Sequence, residues 1–216
     1  MHDFAAQLAE VRLVPVLAID KLETVPQLME ALQTGGLSVL EITLRTEAAL
    51  AAIQAAAQLP GLTIGAGTVC SRDQAAAAID AGARFIVAPG FDAATVRYCQ
   101  DRSVPIIPGC VTPTEIMAAM NAGLNVVKFF PASVYGGKAA LEALGGPFPG
   151  LHFVPTGGID LNNLAEYLSL PNVLACGGSW MARRQDVAAG DFAVIRRLAA
   201  QAAAEAQHAG KAARKG

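Results

Sequence analysis

The strongest constraint on this 216-residue sequence is a regular alternation of short apolar segments with longer, alanine-rich segments. The short segments are aliphatic and β-branched, which predicts buried strands, and the longer ones have the spacing and end residues of helices. We predict strands at 13–18, 37–43, 63–67, 84–88, 104–107, 125–131, 152–156 and 173–176. We predict helices at 4–10, 22–34, 46–59, 71–81, 92–101, 113–122, 138–144, 161–168 and 191–206.

Eight strand–helix units joined by short links indicate a parallel sheet, because consecutive parallel strands need a crossover connection. Eight is also the number of units that closes into a barrel. We therefore predict an α/β fold, a single (β/α)8 TIM barrel with a short N-terminal helix, in which residues 1–216 form one domain. A doubly wound open sheet is the alternative if one or two short strands are misassigned. The small, basic tail at 210–216 is expected to fray.

Composition excludes several classes of function. Apolar residues make up 53% of the chain and charged residues 16%, which fits a well-buried α/β enzyme and argues against disorder. The formal net charge of −2 offers no basic surface to nucleic acid or to an anionic membrane, and no apolar run reaches membrane-spanning length. The N-terminus lacks the pattern of a signal peptide and the four cysteines are scattered, so we expect a cytoplasmic protein with reduced thiols.

The predicted sixth strand carries one lysine within an apolar and aromatic run, NVVKFFP. Side chains alternate along a strand, so Val126, Lys128 and Phe130 share one face, and no acid lies within the run. Burial of an unpaired ammonium ion is costly and favours the neutral amine, which in an apolar pocket is a nucleophile for carbonyl carbon. A lysine that extends from the strand end to solvent is the alternative interpretation.

The predicted second strand carries a carboxylate. If Leu40 and Ile42 contact the helices, Glu41 points into the barrel, where a buried carboxylate needs a partner. A pair of Glu41 with Lys128 is either a plain ion pair or an acid–base group beside a nucleophile, and the two interpretations overlap. Arg45, just after the strand, can bind a substrate carboxylate through two parallel N–H groups. For Arg45 alone, a solvated charge in a loop is the simpler interpretation.

Glycine-rich segments follow the predicted strands three, seven and eight, with the sequences GAGT, TGG and CGGS. The first lacks the third glycine and the distant acid of a dinucleotide-binding motif, so we interpret Gly65 and Gly67 as points where the backbone approaches a ligand. Paired glycines ahead of helix starts expose several N–H groups, and the loops after strands seven and eight are the recurrent phosphate site of this barrel class. We therefore favour a phosphate site here over ordinary turn glycines.

Seven segments, in the same order and at the same spacing, resemble the 2-keto-3-deoxy-6-phosphogluconate (KDPG) aldolase and 4-hydroxy-2-oxoglutarate aldolase family, class I. They are LEITLRTE (40–47), IGAGTV (64–69), PGCVTPTE (108–115), KFFPA (128–132), GPFPG (146–150), PTGGI (155–159) and GGSW (177–180). The resemblance keeps this order and spacing over nearly all of the chain, from about Leu8 to the last helix, which is far more specific than any one motif. The resemblance implies a homotrimer of (β/α)8 barrels that acts on a phosphorylated keto acid without a metal or other cofactor.

The resemblance also implies roles for individual residues. Lys128 corresponds to the Schiff-base lysine and Glu41 to the general acid/base. Contacts with the pyruvate half of the substrate are implied for Arg45, Thr68, Pro89 and Phe130, and contacts with the phosphate or the substrate chain for Thr156, Gly157, Gly158, Gly178 and Ser179. Galactonate-processing relatives tend to be apolar where Thr156 lies, so this threonine favours the gluconate branch.

The implied reaction is cleavage of KDPG to pyruvate and glyceraldehyde 3-phosphate in the Entner–Doudoroff pathway, with 4-hydroxy-2-oxoglutarate as a candidate second substrate. Three alternatives stay open: a 2-keto-3-deoxy-6-phosphogalactonate aldolase, a phosphate-binding isomerase or decarboxylase without a Schiff base, and a non-catalytic phosphosugar-binding protein. A metal-dependent aldolase is disfavoured because His2, His152 and His208 are far apart in sequence.

Overall fold

Eight strands alternate with helices along the chain, as the sequence pattern predicts. The computed structural model describes residues 2–213, and the surroundings of side chains for residues 4–209. The strands are β1 (Leu13–Leu17), β2 (Val39–Thr43), β3 (Thr63–Gly67), β4 (Phe85–Val87), β5 (Ile106–Ile107), β6 (Val126–Phe129), β7 (His152–Pro155) and β8 (Cys176–Gly178). The helices are α1 (His2–Val11), α2 (Val25–Thr34), α3 (Ala49–Ala56), α4 (Arg72–Asp80), α5 (Ala93–Asp101), α6 (Pro113–Asn121), α7 (Gly137–Gly145), α8 (Leu164–Leu168), α9 (Arg184–Ala189) and α10 (Phe192–Ala213). Short 3-10 helices lie at Leu22–Thr24 and Trp180–Ala182.

The strands pair in parallel. Six of them form one sheet in the order β5-β4-β3-β2-β1-β8, and β6 pairs with β7. Isolated parallel bridges join Gly109 to Lys128, Phe153 to Val173 and Thr156 to Gly177. The architecture is thus an α/β fold in which a six-stranded parallel sheet forms a half-barrel beside a two-stranded pair.

The two faces of the strands bury different sets of apolar residues. One face packs against the helices and includes Leu40 and Ile42, as predicted. The other, here called the inner face, carries Val14, Val39, Phe85, Val87, Ile107, Val154 and Ala175. Because side chains alternate along β2, Glu41 lies on the inner face.

Helix α1 closes the N-terminal end of the inner face. Leu8 packs in the inner-face cluster, and the ring centroid of Phe4 lies 4.7 Å from that of Phe85. The amide of Gln7 donates a hydrogen bond of 2.8 Å to the hydroxyl of Thr63. Apolar packing around this one hydrogen bond therefore fills the N-terminal end of the inner face.

The structure corrects the position of the last strand. We predicted it at 173–176, but β8 spans Cys176–Gly178 and pairs with β1, Gly177 opposite Val14 and Gly178 opposite Pro15. Glycine has low strand propensity, so a glycine pair indicates a loop, and register with β1 overrides that preference. Gly178 therefore ends a strand, and its predicted place in the loop after the strand is wrong.

Several helix boundaries also differ from prediction. The 3-10 helix Trp180–Ala182 and α9 were not predicted, because neither segment has a full apolar repeat. Helices α3 and α8 are shorter than predicted, and α10 continues to Ala213. The expected fraying of 210–216 falls partly on 214–216, which lie outside the described residues. Within the described part of the chain, each helix is too short or too polar to cross a membrane.

Candidate active site

Lys128 is fixed by backbone pairing on both sides of β6. Its N–H donates to the carbonyl of Pro108, and its own carbonyl accepts from the N–H of Cys110, each at 2.8 Å. On the other side it lies in register with Val154 of β7. Its neighbours Val127 and Phe129 are buried on the helix-facing side, so the Lys128 side chain extends along the inner face, where the residue is 6% exposed.

Glu41 reaches the same space from β2. Its Oε1 lies 3.6 Å from Nζ of Lys128, and the residue is 3% exposed. At that distance the two groups interact by charge, and Oε1 accepts no hydrogen bond within the described part of the chain. Burial raises the pKa of Glu41 above its ordinary value, although the positive charges of Lys128 and Arg45 oppose the shift. A carboxyl group in this setting can both accept and return a proton.

Gly67 makes room for that carboxylate. A Cβ added at Gly67, the last residue of β3, would overlap Oε1 of Glu41. Gly65 likewise accommodates the ring of Phe85. Side chains of the neighbouring strands therefore use the space at both glycines, and the approach of a ligand to the backbone of this pair stays a prediction.

Arg45 is oriented by a residue that the sequence analysis missed. Its Nε donates to Oγ1 of Thr43 at 3.0 Å, and the Thr43 hydroxyl donates to the carbonyl of Leu17 at 2.7 Å. Thr43 is buried on the same face as Glu41, two residues before the arginine. Thr43 could have been identified from its position, because it is a threonine at a strand end with an arginine two residues later.

Thr68 follows β3 in a strained conformation. Its φ of +58° is uncommon for a residue other than glycine and is a real outlier for a β-branched one. Strain of this kind costs about 1–3 kcal/mol and concentrates at functional sites. The hydroxyl group of Thr68 is thus held at the C-terminal end of β3 at a cost in stability.

The aromatic residue after β6 covers the lysine, and Pro89 lies after β4. The Nζ of Lys128 is 5.1 Å from the ring centroid of Phe130, which is 39% exposed. Pro89 lies in a neighbouring pocket of about 230 Å³ that Cys70 and Asp92 also line. The carbonyl of Pro89 lies close to Gly109, the residue after β5 that bridges to Lys128. The end of β5 therefore lies between Pro89 and β6.

Gly157 and Gly158 form the turn after β7 with φ values of +93° and +75°. Successive N–H groups in a turn can point toward one side, the arrangement found in anion-binding concavities. A Cβ at Gly157 would lie 3.2 Å from Pro131, and one at Gly158 would overlap Ser133. The segment after β6 therefore packs directly against this turn.

The end of β8 meets the end of β7. The side chain of Thr156 is buried and occupies the space where Gly177 would carry a Cβ, and the ring of Trp180 does the same at Gly178. Ser179 is exposed and lines a cavity of about 280 Å³ together with Arg45. Arg183 and Arg184 line the same cavity, held by Asp186 and Asp20 respectively.

The predicted site residues thus lie on the strands or in the segments that directly follow them. The structure brings Lys128, Glu41 and Phe130 together, and it brings Arg45 and Ser179 to one cavity. The described residues contain no group of three histidine, cysteine, aspartate or glutamate side chains placed to hold a metal ion.

Comparison with known proteins identifies the family. The model of the family described as aldolase, KDPG and KHG aldolase, matches residues 4–198. The chain belongs to the KDPG and KHG aldolase family. The 2-dehydro-3-deoxy-phosphogluconate aldolase of Treponema pallidum is 49% identical to this family member over 195 residues, which are 90% of this chain and 93% of that protein. The enzyme of the same name from Pseudomonas aeruginosa is 47% identical over 194 residues, 89% of this chain and 88% of that protein.

A solved structure resembles this aldolase family member closely. It is the KDPG aldolase of Legionella pneumophila with pyruvate captured at low pH as a covalent carbinolamine intermediate. The TM-score is 0.88 at 40% identity, with 91% of this chain and 96% of that chain covered. The predicted family membership is confirmed.

Proposed function

We propose that this member of the KDPG and KHG aldolase family is a class I aldolase that cleaves KDPG to pyruvate and glyceraldehyde 3-phosphate. The observation that carries the proposal is the buried Lys128–Glu41 pair, with Nζ and Oε1 3.6 Å apart. The names of the relatives from Treponema and Pseudomonas support the substrate, and the carbinolamine of pyruvate in the Legionella enzyme supports the covalent route.

The first step is attack of the Lys128 amine, after it has given up its proton, on the C2 ketone of the substrate. Loss of water from the carbinolamine gives an iminium at C2, which withdraws the electrons of the C3–C4 bond. Arg45 and Thr68 hold the substrate carboxylate, and the ring of Phe130 shields the imine from solvent. Pro89 lines the outer side of this pocket.

Glu41 carries the proton through the second half of the reaction. Acting through a water molecule, it removes the proton of the C4 hydroxyl as the C3–C4 bond breaks, and glyceraldehyde 3-phosphate leaves. It then returns a proton to C3 of the enamine, and hydrolysis releases pyruvate and the free amine. The raised pKa of Glu41 supports this double role, because one group must be able to accept and to donate near the working pH.

The substrate phosphate is held at the ends of β7 and β8. Backbone N–H groups of Gly157, Gly158 and Gly178 and the hydroxyl of Ser179 supply donors, and Thr156 contacts the substrate chain. The left-handed φ values of Gly157 and Gly158 support this assignment.

We further infer that the half-barrel and the β6–β7 pair are parts of one closed eight-stranded barrel that forms a single domain. The isolated bridges from Lys128 to Gly109, and from β7 and its end to Val173 and Gly177, support closure on both sides. We also infer a homotrimer, as the family resemblance implies. Exposed apolar side chains on α6 and after β6 support a contact between copies, among them Met117 and Val134. Light scattering of the purified protein tests it.

The four cysteines are free thiols, which supports the cytoplasm as the location of the enzyme.

Reduction with borohydride in the presence of pyruvate tests the proposed function. We expect a mass increase on the peptide that contains Lys128, and its loss in Lys128→Ala but not in Lys138→Ala, which alters an exposed lysine. An unlabelled Lys128 peptide would reject the Schiff-base aldolase and favour the isomerase or decarboxylase alternative. Rates of pyruvate release from KDPG and from its galactonate epimer then decide between the two aldolase branches.

A further inference from the structure

We propose that Ser133 is an additional phosphate-binding residue that determines specificity for the phosphorylated substrate. Its hydroxyl donates to a phosphate oxygen of a substrate held by the turn of Gly157 and Gly158. The proposal rests on the proposed function, because it concerns the same phosphate-binding turn.

Backbone hydrogen bonds place Ser133 beside that turn. The N–H of Ala132 donates to the carbonyl of Thr156 at 2.8 Å, and the N–H of Ser133 donates to the carbonyl of Gly157 at 3.1 Å. The N–H of Gly137 donates to the carbonyl of Ala132 at 2.8 Å and closes the turn that leads into α7. The position of Ser133 is therefore fixed by the main chain and does not depend on its own side chain.

The Ser133 side chain lies against Gly158. A Cβ added at Gly158 would overlap both Oγ and Cβ of Ser133, so the hydroxyl and the glycine occupy adjacent space. Ser133 is exposed, and its hydroxyl makes no hydrogen bond to any residue in the described part of the chain. A serine hydroxyl has one donor and two acceptor sites, and all of them are available here to a ligand.

The chemistry of the ligand agrees with this position. A phosphate monoester carries about −1.5 to −2 charges at pH 7 and three strong acceptor oxygens. Ser179 contributes a hydroxyl after β8 and Ser133 contributes one after β6, and β7, which leads into the Gly157–Gly158 turn, pairs with β6 and is bridged at its end to β8. Two hydroxyls that flank the backbone donors can each reach a different phosphate oxygen. A substrate that ends in a neutral hydroxyl accepts a weaker hydrogen bond at the same place.

Steady-state kinetics on two substrates test the proposal. For Ser133→Ala we expect the KM for KDPG to rise about 10-fold with kcat unchanged, as loss of one hydrogen bond to a charged group predicts. With the same keto acid without its phosphate, kcat/KM should stay within about twofold, because no charged acceptor is lost. Competitive inhibition by inorganic phosphate should weaken about 10-fold in the same variant. Ser169→Ala, which removes a hydroxyl that donates to the carbonyl of Glu166 on α8, is the matched control and should change none of these values.

The outcomes separate this proposal from the proposed function. An unchanged KM for KDPG in Ser133→Ala, or an equal loss on both substrates, would overturn the role of Ser133. Trapping of pyruvate on Lys128 by borohydride serves as the independent measure that the Ser133→Ala site is intact. Failure of the wild-type protein to release pyruvate from KDPG would instead reject the aldolase itself.

Discussion

The Nζ of Lys128 lies 3.6 Å from Oε1 of Glu41, with their side chains 8% and 4% exposed. The two residues come from β6 and β2 and meet on the inner face. A direct hydrogen bond would be shorter, so the contact is an interaction between ionisable groups with little access to water. Breaking a buried pair of this kind leaves one group unpaired, which makes single substitutions informative about both stability and chemistry.

Lys128→Arg should remove turnover and the covalent adduct. Arginine keeps a positive charge near Glu41, but its guanidinium stays protonated and cannot form an imine. The measurement is pyruvate release from KDPG together with mass mapping after borohydride reduction. Retained turnover in Lys128→Arg would show that Lys128 acts only as a charge, whereas Lys138→Arg should behave as wild type.

Glu41→Gln should slow the proton transfers but leave imine formation. We expect kcat for KDPG cleavage to fall by about 10²–10⁴-fold, the usual contribution of a general acid or base. Exchange of the pyruvate methyl protons with deuterium, followed by NMR, should slow in parallel because it needs the same proton carrier. Borohydride trapping of pyruvate on Lys128 should persist, and exchange at the wild-type rate would reject Glu41 as that carrier.

The stability of the protein should depend on pH through Glu41 in a direction opposite to that of most carboxylates. Burial raises the pKa of Glu41 in the folded protein, so the folded state binds its proton more tightly than the unfolded state does. The contribution of this proton to stability is complete below the ordinary value of 4.5 and is lost as pH rises through the raised pKa.

Urea unfolding of wild type and Glu41→Gln between pH 4 and pH 8 checks this sign. The free energy of unfolding of wild type relative to Glu41→Gln should decrease as the pH rises above about 4.5. The comparison removes the contribution of other titrating groups, because both variants contain them. Asp92 is one such group: hydrogen bonds from Thr95 lower its pKa, so it stabilises the fold as pH rises. A difference that increases with pH would mean that the Glu41 carboxylate is stabilised in its ionised form.

The sequence predicts this fold well where the signal is periodic. The alternation of apolar strands and alanine-rich helices locates all eight strand regions, seven of them to within two residues at each end. Period-two alternation also places Glu41 on the inner face once Leu40 and Ile42 contact the helices, whereas for Lys128 it gives only the residues that share its face. These predictions succeed because the spacing of apolar residues shows which side of a helix or strand is buried.

Prediction from the sequence fails where contacts between distant segments determine the strand register or the position of a side chain. The register of β8 depends on its partner β1, and strand propensity alone places it three residues too early. Nothing in the local sequence around Gly67 predicts that the carboxylate of Glu41 occupies the space where a Cβ would be. Likewise, nothing around Ser133 predicts that its side chain contacts Gly158. Each of these contacts joins residues from different strand–helix units, so no local pattern reports it.

Gly67→Ala tests the first of those contacts. The added Cβ overlaps the Glu41 carboxylate and must displace it, and a displacement of about 1 Å can cost on the order of 10²-fold in rate. We expect a lower kcat with pyruvate trapping on Lys128 retained. Gly90→Ala is the matched control, because a Cβ there meets no described heavy atom within 4 Å, and it should turn over as wild type does. Equal kcat values in the two variants would contradict the steric argument.

Gly178→Ala should weaken phosphate binding through Trp180. A Cβ at Gly178 overlaps the indole ring, which forces the end of β8 and the adjacent Ser179 to move, so the KM for KDPG should rise. Replacement of the ring in Trp180→Leu opens that space, and the double variant should recover part of the lost affinity. The coupling energy from KM values of the two single variants and the double variant should be about 0.5–3 kcal/mol, the range for residues in contact. Additive effects would show that the ring does not set the position of the β8 end, since only a shared steric contact makes the second substitution relieve the first.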